Sequence, residues 1–136
     1  MTFEIVNPES LGQPRGWSNG MLAPAGGRML FIAGQVASDA AGHVSGGFVE
    51  QFAGALRNVV TVVAQAGGGV QDIGRLTIFV RDIEAYLSSR KELGAAYRAI
   101  MGTHYPAMTL VEVSRLVDPA AMVEIEGTAV LAPPRD

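Results

Sequence analysis

The apolar residues of this chain switch period repeatedly between positions 29 and 131, and that succession leaves few ways to fold. MLFIAGQV (29–36) is an apolar run bounded by Gly26-Gly27 and Ser38-Asp39, which reads as a strand. From Phe48 the spacing changes to three and four, through Phe52, Leu56, Val59, Val60 and Val63, the stripe of an amphipathic helix. Polar Glu50, Gln51, Arg57 and Asn58 fill much of its other side, and Gly67-Gly68-Gly69 stops it, because glycine enters the left-handed conformation without strain. RLTIFV (75–80) returns to strand alternation. A second helix is expected from Asp82, a capping carboxylate, to Gly102, burying Tyr86, Leu87, Leu93, Tyr97 and Ile100. Two strands follow, 107–114 and 122–131, and a short run at 3–6 precedes the whole, ended by Asn7-Pro8.

The order ββαβαββ predicts an α+β domain over residues 1–136, a mixed sheet with two helices packed on one face. The other face then has no cover from this chain. Met29 or Leu30, Met108 and Leu110 are expected on it, too apolar for water, so a homo-oligomer is the simplest cover. The 49% apolar content and mean hydropathy of +0.26 fit that expectation. With no cysteine there is no disulfide or thiolate chemistry, and two separated histidines, His43 and His104, are too few for a histidine metal site. No metal or cofactor is expected. A net charge of −3 with scattered cations argues against nucleic acid. No run is long enough for a membrane span and no signal pattern opens the chain, so the expected location is cytoplasmic.

Six segments carry a stronger clue: GWSNGM (16–21), FIAGQV (31–36), QFAGALRNVVTVVAQAGG (51–68), TIFVRDI (77–83), YPAMTLVEVSRL (105–116) and VEIEGTAV (123–130). In this order and spacing they resemble the Rid family, the reactive intermediate deaminases, also called YjgF or L-PSP endoribonuclease-like. The resemblance implies a chorismate-mutase-like fold, a homotrimer, and small-molecule pockets between neighbouring subunits. It implies hydrolysis of reactive enamines and imines such as 2-aminoacrylate, to a ketoacid and ammonia. Carried onto this chain, it implies a water-orienting carboxylate at Glu124 and a substrate-binding set of Trp17, Ser18, Ala33, Gly34, Gln35, Met108 and Leu110. Three positions depart from the family pattern, the first being Ala33, where a small hydroxyl residue is usual before Gly-Gln. The arginine expected after Pro106-Ala107 is Met108, and the residue two further on, usually cysteine, is Leu110.

Imine hydrolysis needs a held electrophilic carbon, an aimed water and a proton donor for the leaving nitrogen. Glu124 can serve the last two. The first is damaged, because a charge-assisted arginine–carboxylate contact contributes about 1.5–3 kcal/mol and a thioether offers a carboxylate nothing comparable. The expected pocket is apolar and arginine-less, so 2-aminoacrylate is an unlikely substrate and a flat neutral or cationic ligand, stacked on Trp17, suits it better. Arg28, Arg81 and Arg115 are the arginines considered as replacements from elsewhere.

Plainer readings stand beside these. Met108 and Leu110 are equally read as core or interface filler, Glu124 and Glu126 as solvated strand residues, and Trp17 as an interface aromatic. Ser18 reads more readily as a turn cap than as a nucleophile, since no histidine is placed to activate it. The alternative function is therefore a non-catalytic small-molecule-binding or interaction protein on the same trimeric scaffold. A ribonuclease role is disfavoured by the mild acidity and the lack of a basic groove.

Overall fold

The computed structural model describes residues 2–134. The strands are β1 (Glu4–Val6), β2 (Gly20–Leu22), β3 (Arg28–Gln35), β4 (Ile73–Val80), β5 (Ala107–Glu112) and β6 (Val123–Leu131). The helices are α1 (Phe48–Gln65), α2 (Ile83–Ser88) and α3 (Arg90–Met101). A four-stranded mixed sheet runs in the order β3-β6-β4-β5, with only β4 and β5 parallel. β1 and β2 form a separate antiparallel pair.

Two parts of this order depart from expectation. The strand β2 is additional, since Gly20-Met21-Leu22 is too short to show any alternation and forms by pairing with β1. The second helix is two, because Ser89 leaves helical geometry at φ −115°, ψ 14°. Serine competes for nearby backbone groups and weakens a helix interior, and here the Ser88 hydroxyl donates to the Ala85 carbonyl. The expected start holds: the Asp82 carboxylate accepts from the Glu84 N–H at 3.0 Å.

All three helices cover one sheet face. Phe52, Leu56, Val59 and Val63 of α1 and Leu93, Tyr97 and Met101 of α3 meet Ile32, Leu76, Ile78, Val80, Val123 and Ile125 beneath them. Gln51, placed with the polar residues of α1 in the sequence, is instead 2% exposed. Its amide nitrogen donates to the Gly46 and Ala120 carbonyls, and its oxygen accepts from the Met122 N–H. A fully bonded buried amide costs little, and this one ties α1 to the turn entering β6.

The strand phases assign the two faces. Leu76 pairs with Met108 and Ile78 with Leu110, so Met108 and Leu110 lie under the helices, packed against the core. Leu30 packs there too. The expectation that Met108 and Leu110 occupy the open face is therefore corrected. The parallel partner β4 sets their phase, and alternation within β5 alone could not say which side the helices would take. The open face instead carries Met29, Phe31, Phe79 and Val111, with Phe31 77% and Met29 60% exposed.

Tyr97 closes the end of the core near the β5 entry. Its hydroxyl donates to the His104 carbonyl at 2.6 Å, and its ring stacks on Tyr105 at 5.1 Å between centroids. Burial, then the neighbouring Tyr105 phenol, pushes the Tyr97 phenol far above the usual tyrosine range. The stability attached to keeping it neutral is complete below the unfolded value of about pH 10 and is lost as pH rises further. Tyr97→Phe is thus expected to lower stability at neutral pH by about 1–2 kcal/mol and to flatten its decline at alkaline pH, as read by denaturant titration across that range. Leu56→Ala, at a fully buried site, is expected to cost about 2–5 kcal/mol in the same assay.

Candidate functional site

A cleft of about 470 Å³ opens between α3, the start of β5 and the loop before β2. That loop arrives by local bonding. The Ser18 N–H donates to the Pro106 carbonyl at 3.1 Å, and the Ser18 hydroxyl donates to the Tyr105 carbonyl at 2.6 Å. Ser18 is 5% exposed, so it works as a clip beneath the cleft wall. The clip carries its neighbour Trp17 to the rim, where the indole is 43% exposed and its N–H donates to Asn19 Oδ1. Met108 and Leu110 form the β5 wall, and the stacked Tyr97 and Tyr105 form the end.

The remaining sequence candidates lie elsewhere. The register between β3 and β6 shifts between Ile32 and Gln35, a bulge that takes in Ala33 and Gly34. Glu124, on the adjacent strand β6, rests its side chain on this bulge. A Cβ placed on Gly34 would come within 2.9 Å of the Glu124 carboxyl carbon, so glycine is what leaves room for the acid. Gln35 donates to the Ala33 carbonyl at 3.2 Å within the same turn. Glu124 pairs across β4 with Phe79, on the open face. Glu112 accepts from the Ile83 N–H at 3.0 Å and caps α2.

One chain therefore brings Trp17, Met108 and Leu110 together, with Ser18 behind them, and groups Glu124, Ala33, Gly34 and Gln35 on another surface. Met108 and Glu124 stand on opposite faces, with β4 between their strands. Within a single chain they do not share a site.

The cleft also holds residues absent from the sequence-based set. Arg15, Arg90 and Arg98 line it, so this single-chain cleft carries arginines even though position 108 is methionine. Of the arginines considered as replacements, Arg28 donates to the Ala132 carbonyl and Arg81 to the Pro119 and Ala121 carbonyls. Neither these nor Arg115 lines the cleft. The signal for the real ones is present in the sequence as Arg90, Gly94 and Arg98, spaced by four on one side of α3.

Among the described residues no cluster of His, Asp or Glu is placed to hold a metal ion, and no helix is long and apolar enough to cross a membrane.

Comparison with known proteins identifies the family and the fold. The family described as Endoribonuclease L-PSP matches residues 12–131. A RutC family protein of Pasteurella multocida is 34% identical over 107 residues, covering 78% of this chain and 82% of that protein. The 2-iminobutanoate/2-iminopropanoate deaminase of Escherichia coli K12 is 33% identical over 108 residues, covering 76% of this chain and 80% of the enzyme. Among solved structures, the Rid family protein YyfB of Yersinia pestis superposes with a TM-score of 0.83 at 33% identity, over 96% of this chain and 100% of that one. E. coli TdcF, solved with bound serine, gives 0.68 at 27% identity over 89% and 92%. The mixed sheet, the helix layer and the extent of the match make this chain a member of the endoribonuclease L-PSP family, the YjgF or Rid proteins.

Proposed function

We propose that the chain is an imine or enamine hydrolase of the deaminase type, with Glu124 orienting the attacking water. One observation carries this reading. Glu124 is a half-buried carboxylate seated on a glycine bulge, with no ion pair among the described residues. The bulge leaves room for the side chain, and the carboxylate, with no ion-pair partner among the described residues, is free to bond something else. The E. coli relative named as a 2-iminobutanoate/2-iminopropanoate deaminase supports the reaction type, and the serine in TdcF supports a small amino-acid-like ligand.

The site is completed by a second copy. In this reading Met29, Phe31, Phe79 and Val111 are covered in a homotrimer, and the Glu124 surface of one subunit meets the Trp17–Met108–Leu110 cleft of its neighbour. Such closure buries the apolar patch and joins two half-sites that one chain keeps on separate faces. Met108 supports a second reading, a binding protein that has lost turnover and kept the scaffold.

Ammonia release from imines generated in place separates the two. Glu124→Gln is expected to lower the rate at least about a hundredfold, the scale of lost acid–base assistance; an unchanged rate sinks the water-orienting role. Met108→Arg is expected to raise turnover of 2-aminoacrylate roughly tenfold to a hundredfold, using about 1.5–3 kcal/mol for the restored contact. Phe31→Glu, on the open face, is expected to give monomers by mass measurement in solution and to abolish ammonia release while the fold persists by circular dichroism.

A further inference from the structure

The cleft wall at Met108 is apolar, yet its rim is strongly cationic. Arg15, Arg90 and Arg98 line the cleft and no acidic residue does. This runs against the chain as a whole, which has 13 acidic residues to 10 Lys and Arg. None of the three arginines forms an ion pair among the described residues. Uncompensated guanidinium groups beside a concave surface focus a positive field into it.

Arg98 is solvent-exposed at the cleft, and its guanidinium lies along α3. A Cβ on Gly94 would lie 3.1 Å from an Arg98 terminal nitrogen, so the guanidinium is folded back across the glycine, one turn toward the N-terminus of α3. That position takes it away from the free carbonyls at the helix end, the ordinary partners of a last-turn arginine, and lays it beside the cleft. A Cβ at position 94 would push this flexible guanidinium aside by a few tenths of an ångström.

We infer that this cleft takes an organic carboxylate with a flat apolar body, its anionic end held by Arg98 with Arg90 and Arg15 adding to the field. The body lies against Met108, Leu110 and the Tyr97–Tyr105 pair, with Trp17 across from them. The grip thus comes from α3 instead of the position after Pro106-Ala107, and it suits a longer ligand than a three-carbon acid. The inference deepens the hydrolase reading and rests on it only in taking this cleft as the ligand site. For turnover, the favoured substrates are imines of aromatic or large apolar amino acids.

Trp17 is the chain's single tryptophan and lines the cleft, so its fluorescence reports occupancy. Phenylacetate and phenylacetamide share shape and differ in charge, and neither can be hydrolysed as an imine. Titration of the full-length protein, with calorimetry in parallel, is expected to give about tenfold tighter binding of phenylacetate, weakening as salt is added. Arg98→Gln is expected to erase most of that preference, Arg90→Gln/Arg98→Gln all of it, with phenylacetamide affinity unchanged. Arg98→Lys should restore part of it. Equal affinity for the two probes, no binding of either at millimolar concentration, or an anion preference that survives the double substitution overturns the inference. Because these probes do not react, such a failure is separate from failure of the hydrolase reading, which the Glu124→Gln ammonia assay decides.

Discussion

Side chains on a strand alternate between two faces, and in this molecule helices cover only one of them. Most of what the protein can do follows from that division. Every residue of β5 and β6 is assigned either to the space beneath the helices or to the bare side. Met108 and Leu110 fall on the first side, and Glu124 on the second. Within one chain the apolar cleft and the free carboxylate are therefore kept apart, which is why the proposed site draws on a second copy.

Within each half, small residues and backbone bonds do the positioning. The bulge at Ala33-Gly34 opens a seat for the Glu124 side chain, and Gly94 opens one for the Arg98 guanidinium. The Ser18 clip fixes the Trp17 loop to the corner before β5 through two hydrogen bonds. In each case a residue with little chemistry of its own bears on where a larger neighbour sits. The larger side chains of the cleft, Tyr97 and Tyr105, are fixed by stacking and by the bond to the His104 carbonyl.

Much of the fold was legible in the sequence because long elements carry their period with them. The stripe from Phe48 to Val63, the stop at Gly67 and the Asp82 cap are local signals, and local physics produces them. The break at Ser89 and the strand at Gly20–Leu22 were not legible, since one depends on competition within a turn and the other on a partner strand. The site was legible only in part. The motif positions after Pro106-Ala107 could be matched, but the face they occupy depends on pairing with β4, which no local pattern encodes. Arg90 and Arg98 were missed because surface arginines at helical spacing look like ordinary solvation until a cleft is found beside them.

The bulge has a further effect, beyond seating an acid. It interrupts the regular backbone ladder of β3, which is an outermost strand of the sheet. A smooth border would invite another molecule's strand to add on, and then another, into an open-ended fibril. A kinked border resists such templating.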